Sequence, residues 1–234
     1  MEYSGNLYKH IVHEWILKDF YDLIEEFQDQ VKGIEVSLLI KSIEGIIKDE
    51  ILDHKGRYTK RWIGETLERI ANQDSMNIMV TSYRGYAGKD GKLIVTNIDI
   101  SIMYDSLINL IIANLHQLDL LKESLHLSIR HEFGHVLDYS GYNGMDISDV
   151  KAIHDKEEQQ KEEFFRLLSS GYYDDPDGIQ WDEAYNNLPV EVMANLLAGI
   201  DADKYLRIKR QINDLFENKG EGTYEINVKV KETE

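Results

Sequence analysis

Cysteine is absent from this chain of 234 residues. Its absence excludes disulfide bonds, structural zinc sites built from thiolates, and catalysis by a cysteine nucleophile. Proline is also scarce, with only 2 residues, whereas 42% of the residues are hydrophobic. This composition indicates an ordered globular chain that is long enough to bury a substantial core.

Long apolar segments are lacking as well. The amino terminus, MEYSGNLYKHIVHEW, has no apolar stretch behind a basic start, so it shows no secretory signal. The longest apolar run, at 107–115, is interrupted by Asn109 and Asn114 and is too short to cross a bilayer. We therefore expect a cytoplasmic protein that does not bind membranes.

Basic residues are fewer than acidic ones. The chain has 26 Lys and Arg residues against 43 Asp and Glu residues, which gives a formal net charge of −17. Because proteins recognise nucleic acid through basic surfaces, we expect no nucleic-acid binding. A high negative charge ordinarily favours solubility. It is also compatible with a preference for basic substrates, or with mimicry of DNA to occupy a DNA-binding partner.

The segment 125–139, LHLSIRHEFGHVLDY, predicts an amphipathic helix that carries an H-E-x-x-H motif. His131 and His135 are separated by one helical turn and point the same way, so both imidazoles can reach one metal ion. Glu132 lies beside such a metal rather than on it, where it can take a proton from a metal-bound water. The core side of the helix is formed by an apolar stripe at Leu125, Ile129, Phe133 and Val136.

A glycine inside this helix supports a special role for the motif. Gly134 costs the helix about 1 kcal/mol relative to alanine, so a packing or functional reason is expected. A glycine on the site side allows another backbone or a substrate to come close. The plain alternative is a helix with two surface histidines and a surface glutamate, and the amphipathic context favours the metal site over it. His10 and His13 form a weaker pair with no evident third ligand.

A catalytic zinc ion needs a third protein ligand, and Glu191 is the candidate. It lies in the first turn of an apolar helix that Pro189 is expected to start. Ala194 would let this helix pack closely on the motif helix, and Asn195 could hydrogen-bond a ligand. The alternative for Glu191 is ordinary pairing with the helix dipole. Asp138 is the competing ligand, but three ligands on one straight helix face surround a tetrahedral ion poorly, so we expect it outside the coordination shell.

The remaining pattern predicts an α+β fold that is mostly helical with a small antiparallel sheet. An N-terminal helical region at 1–75 is followed by a domain at 76–234. The sheet is a hairpin of strands at 77–83 and 92–103, joined through the Asp90-Gly91 turn. The predicted helices are 6–30, 34–53, 61–72, 105–117, 119–140, 148–169, one from Pro189, and 203–217. A loop at 171–180 and a final strand at 223–230 complete the prediction.

Two segments together resemble the gluzincin metallopeptidases. They are HEFGHVLDYSGY and, after a long insert, YNNLPVEVMAN, which contains Tyr185 and Glu191. The resemblance covers about 110–200 and is closest to the catalytic domain of anthrax lethal factor and its relatives. Repressor-cleaving regulatory proteases and small phage-encoded zincins also pair H-E-x-x-H with a later E-x-x-A-N.

The resemblance implies a zincin-like domain that hydrolyses peptide bonds. In it His131, His135 and Glu191 would hold Zn²⁺, and Glu132 would be the general base. Tyr185 would stabilise the oxyanion, and a protein or peptide substrate would add in extended form to an edge strand beside the site. Other candidates for the oxyanion role lie close in sequence, namely Tyr139, Tyr142, His154, Tyr172 and Tyr173.

The rival interpretation is a non-catalytic protein. It would be an acidic binding or inhibitory protein, virally encoded for instance, that retains a zincin scaffold. The presence of Glu132 argues against this interpretation, because loss of the general base is the simplest way to inactivate such a site.

Overall fold

The fold was obtained as a computed structural model that describes residues 2–41, 78–103, 111, 114–169 and 179–217. The described part is mostly helical and contains a small mixed sheet, which confirms the predicted α+β class. Its helices are α1 (Glu2–Glu26), α2 (Leu118–Gly141), α3 (Ile147–Ser169), α4 (Ile179–Asn186), α5 (Pro189–Leu197) and α6 (Ala202–Glu217). Its strands are β1 (Glu35–Lys41), β2 (Ile78–Ala87) and β3 (Leu93–Met103), and a short 3₁₀ turn, Leu115–Gln117, precedes α2.

Helix α2 is the element on which the others are arranged. It packs against α1, α5, α6 and both strands of the β2–β3 hairpin. The predicted apolar stripe is confirmed, since all four of its residues are fully buried: Leu125, Ile129, Phe133 and Val136. The ring of Phe133 stacks on Phe27, just beyond α1, with 5.7 Å between the ring centroids. One face of α2 therefore belongs to the core, and the neighbouring face is left for the histidines.

The sheet contains one strand more than the predicted hairpin. The predicted hairpin is confirmed, because β2 and β3 pair antiparallel. However, β1 pairs parallel with the other side of β3, so the sheet is mixed rather than antiparallel and has the order β1-β3-β2. The helix predicted at 34–53 is therefore wrong over Glu35–Lys41.

The error at β1 has a physical cause. The segment EVSLLIK fits helical spacing, but its apolar residues also alternate, and short apolar runs of this kind are ambiguous. In the structure Val36, Leu38 and Ile40 stand opposite residues of β3 that are almost fully buried: Ile98, Ile100 and Ile102. Pairing with this central strand makes the segment a strand, and the local sequence pattern does not indicate that pairing.

The helices around the site follow the sequence closely. Helices α2, α3, α5 and α6 begin and end within two residues of the predicted limits, where limits were given. Helix α5 begins with Pro189, and Leu188 is its N-cap residue. Helix α4 was not expected: it starts at Ile179, inside the predicted loop. Several predictions lie outside the described residues: those at 42–53, 61–72, 171–178 and 223–230, the helical one over most of 105–117, and the domain boundary at residue 75. None of the helices in the described ranges is long and apolar enough to span a membrane.

Candidate metal centre

The site lies where α2 and α5 cross. Their backbones come so close at Gly134 and Ala194 that a Cβ atom on residue 134 would clash with the Ala194 carbonyl oxygen. The same Cβ would lie 2.6 Å from the Ala194 carbonyl carbon and 2.9 Å from its Cα. The close packing of the two helices thus explains the glycine at position 134. Ala194 is the second small residue at the crossing. This contact brings the first turn of α5 beside the histidines of α2.

Three side chains converge at this crossing, as the sequence predicts. Ligand atoms of His131, His135 and Glu191 all lie within 4.8 Å of one another. The Oε2 atom of Glu191 lies 3.0 Å from Nε2 of His131 and 3.4 Å from Nε2 of His135. All three residues are buried. The group could therefore hold a metal ion, and no second group of this kind is found across the described ranges, so His10 and His13 do not form one there.

The imidazoles and the carboxylate of this cluster shift one another's pKa values. Burial acts to raise the pKa of the Glu191 carboxyl, but hydrogen bonds from His131 and His135 outweigh burial and hold that pKa far below its usual range. For His131, burial acts in the opposite direction, yet the hydrogen bond to Glu191 and the charge of Glu132 leave its pKa raised. The buried carboxylate is therefore ionised and compensated by its neighbours.

The orientation of the His131 ring is fixed from both sides. Asn195 on α5 places its carboxamide oxygen 2.9 Å from Nδ1 of His131, so the Nδ1–H group donates to it. The ring of Tyr205 on α6 stacks on the imidazole, with 5.2 Å between centroids and 23° between planes. Together they direct Nε2 towards Glu191 and His135. The contact of Asn195 with a candidate ligand is thus confirmed, whereas no sequence signal pointed to Tyr205.

Glu132 lies beside the three converging residues and is not a member of their group. Its side chain is partly buried. Its negative charge acts to raise the pKa of both His131 and Tyr185. This placement agrees with the position expected of a general base. The catalytic role itself stays a prediction.

Tyr185 reaches the site from α4, the helix that the sequence did not predict. Its hydroxyl group donates a hydrogen bond to Glu191. Burial, followed by the negative charge of Glu191, raises the pKa of Tyr185 well above its usual range. The phenol packs edge-on against Phe164 of α3, with 5.6 Å between centroids, and Lys209 lies 5.9 Å from its ring centroid. The structure therefore brings this tyrosine to the candidate metal-binding group, and its raised pKa keeps it protonated.

Asp138 is not a member of the group formed by the three candidate ligands. It accepts a hydrogen bond of 3.0 Å from the hydroxyl group of Tyr142, which also lies 3.4 Å from a Glu157 oxygen. Burial raises the pKa of the Asp138 carboxyl. Asp138 was expected to interact with the segment Tyr139–Tyr142, and its hydrogen bond with Tyr142 confirms this.

The other residues considered for the oxyanion role fall into two groups. Tyr139, Tyr142 and His154 form a ring cluster, in which Tyr139 stacks on His154 with 5.9 Å between centroids. Tyr172 and Tyr173 lie outside the described residues. Tyr185 thus has a direct hydrogen bond to a candidate ligand, and the cluster around His154 is tied to Asp138 instead.

Comparisons of the chain with protein-family models, with curated proteins and with solved structures find no match. What this protein does must therefore be inferred from the chemistry of the site itself. That site is a buried group of two imidazoles and one carboxylate, with a further carboxylate and a protonated phenol beside it.

Proposed function

We propose that this protein is a zinc-dependent metallopeptidase of the gluzincin type. The observation that carries the proposal is the convergence of His131, His135 and Glu191 at the crossing of α2 and α5. Two histidines and one glutamate, leaving a coordination position open, make up a well-known ligand set of catalytic zinc. The gluzincin resemblance of HEFGH and PVEVMAN supports the same assignment.

The donor atoms fit zinc better than the common hard cations. Calcium and magnesium prefer shells made entirely of oxygen, whereas two imidazole nitrogens suit zinc and its transition-metal neighbours. Two histidines and a carboxylate can also hold iron in oxygenases. The H-E-x-x-H spacing favours zinc hydrolysis, because it places Glu132 directly after a ligand, where a proton acceptor is needed.

Bound zinc would supply a Lewis acid that makes a water acidic near neutral pH and polarises a peptide carbonyl. Glu132 accepts the proton of the attacking water and passes it to the leaving amine nitrogen. Tyr185 donates from its hydroxyl group to the oxyanion that develops on the carbonyl carbon. Its raised pKa supports this role, since the donor proton stays on the phenol through the neutral range.

The substrate is proposed to bind as an extended strand. Among the described strands β2 lies at the edge of the sheet, and it packs against α2, which carries both histidines. An extended peptide can add to such an edge through backbone hydrogen bonds. Breaks in the β2–β3 register at Val80/Ser82 and at Arg84/Gly85 would limit how far the added strand extends.

The test is hydrolysis of a peptide library by the full chain loaded with zinc, with cleavage products identified by mass spectrometry. Cleavage should disappear when a chelator removes the metal and return when zinc is restored. Glu132→Gln is the matched control: it should keep the bound zinc and lose activity by about 10²-fold or more, because only the base is removed. Bound zinc without any cleavage above this variant would contradict the proposal and favour a non-catalytic binding protein.

A further inference from the structure

The two carboxylate oxygens of Glu191 face different partners. Oε2 lies between the two imidazoles, at 3.0 Å and 3.4 Å from their Nε2 atoms. Oε1 lies 3.8 Å from the ammonium nitrogen of Lys161 on α3. We propose that Lys161 is an internal counter-ion that competes with the metal for Glu191 and so weakens zinc binding. This inference rests on the metal site of the proposed function.

Burial makes a counter-ion useful at this position. The side chain of Glu191 is only 3% exposed, so water does little to solvate its charge. An ionised carboxylate buried without a partner is strongly unfavourable. The side chain of Lys161 is 35% exposed, so its ammonium group can approach Glu191 and still remain hydrated. The lysine therefore stabilises the metal-free carboxylate at a small desolvation cost to itself.

The same lysine opposes the metal. A dication bound at Oε2 would meet the positive charge of Lys161 across a single carboxylate. Repulsion between a single and a double charge several ångströms apart amounts to about a tenfold change in affinity, even in a water-like dielectric. Lys161 thus favours the metal-free state and disfavours the metal-bound state. Removing the charge of Lys161 should therefore lower the stability of the metal-free protein and raise its affinity for zinc.

Loss of the lysine should not release the carboxylate. Glu191 also receives hydrogen bonds from His131, His135 and Tyr185, and it is held inside the α2–α5 crossing. Its position is therefore fixed without Lys161. This separates the proposal from a simple positioning role, in which removal of the lysine would weaken zinc binding.

Helix α3 also offers a matched control. Lys156 lies on the same helix, but its side chain is exposed and borders a groove towards α4, with Gln160 and Ala184 nearby. Replacing Lys156 by methionine changes the net charge of the protein by the same amount as replacing Lys161. Lys161→Arg keeps the charge near Glu191 and tests whether charge, rather than the ammonium group itself, is responsible.

The experiment measures zinc dissociation constants by competition with a chromophoric chelator for the wild type, Lys161→Met, Lys161→Arg and Lys156→Met. Thermal unfolding of the metal-free proteins is measured in parallel. Lys161→Met should bind zinc about tenfold more tightly, and its metal-free form should melt about 2–4 °C lower. Lys161→Arg and Lys156→Met should stay within about twofold of the wild type in zinc affinity.

The outcomes separate this inference from the proposed function. Unchanged or weaker zinc binding by Lys161→Met would overturn the counter-ion role while leaving the metal site intact. An equal tightening in Lys156→Met would overturn it too, because the effect would then reflect net charge alone. A wild type that binds no zinc would overturn both the counter-ion role and the proposed function.

Discussion

Gly134 and Ala194 are in direct backbone contact, and this contact sets the distance between α2 and α5. His131 and His135 lie on either side of Gly134 along α2, and Glu191 lies one turn before Ala194 on α5. The separation of the two helices therefore fixes how far the carboxylate reaches between the imidazoles.

Gly134→Ala should disrupt the site through packing alone. The added methyl group would lie 2.6 Å from the Ala194 carbonyl carbon, so one helix backbone must move. We expect destabilisation by about 1–3 kcal/mol or more and weaker zinc binding. Gly141→Ala is the control, because a methyl group on residue 141 would meet nothing within 4 Å. Urea unfolding of both variants tests the idea, and a Gly134→Ala protein as stable as Gly141→Ala would contradict the close crossing.

Asn195→Ala should weaken zinc binding, although Asn195 is not itself a candidate metal ligand. The carboxamide oxygen accepts a hydrogen bond from Nδ1 of His131 and keeps Nε2 directed at the other two candidate ligands. Loss of such a partner lowers metal affinity by about 10–100-fold. Asn195→Asp retains an acceptor oxygen and should keep most of the affinity. Chelator competition measures both constants, and equal affinities for the Ala and Asp variants would show that the hydrogen bond is unimportant.

Tyr185→Phe should lower kcat and leave KM nearly unchanged. In the metal-free structure the Tyr185 hydroxyl donates to Glu191. Turned to the developing oxyanion during the reaction, it would stabilise the transition state and not the bound substrate, typically by about 2–4 kcal/mol. Tyr21→Phe is the control, since Tyr21 is an exposed tyrosine on α1. If peptide hydrolysis by the Tyr185 variant keeps its normal kcat, the oxyanion role passes to another residue, with Tyr139, Tyr142 and His154 next in line.

Arg130 connects three helices next to the site, and its ion pair should give a pH-dependent contribution to stability. Its Nε donates to the Ala198 carbonyl oxygen at 2.6 Å, and its Nη1 donates to Glu26 at 2.8 Å. The hydrogen bond from Arg130 lowers the pKa of the Glu26 carboxyl below its usual value of 4.5. A lowered pKa contributes stability that is present above pH 4.5 and is lost as the pH falls through the folded-state pKa.

Glu26→Gln should therefore be less stable than the wild type at pH 7, and the difference should shrink under acid conditions. We expect no more than about 1 kcal/mol, because the pair is partly exposed and solvent screens it. Urea unfolding at several pH values measures the difference. Glu25→Gln removes the same charge from the exposed side of α1 and serves as the control. If the difference in unfolding free energy between Glu26→Gln and the wild type grew towards acid pH, the predicted direction of the pH dependence would be wrong.

The parts of the fold that local patterns determine were predictable. Helix α2 is long and amphipathic, and Pro189 marks the start of α5, so both were predicted at the correct positions. The pairing of His131 and His135 follows from helical spacing alone. The convergence of Glu191 on the two histidines was predictable, because a zinc site with two histidines on one helix needs a third ligand from another element, and a carboxylate at the start of an apolar helix can supply it.

Contacts between distant segments were not predictable. Strand β1 depends on pairing with β3, about sixty residues later, and its sequence also suits a helix. Tyr205 and Lys161 reach the site only because α6 and α3 pack around it, and neither residue has a spacing that links it to the motif. Helix α4 follows a stretch rich in aspartate and glycine, which favours a loop over a helix.

The central claim is that Glu191 completes a metal site with His131 and His135. A crystal structure of the zinc-loaded protein tests it most directly. Both Nε2 atoms and a Glu191 oxygen should lie about 2.0–2.2 Å from the metal, with Asp138 outside the coordination shell and still bonded to Tyr142. Zinc bound by Asp138, with Glu191 turned away, would contradict both the ligand assignment and the gluzincin interpretation.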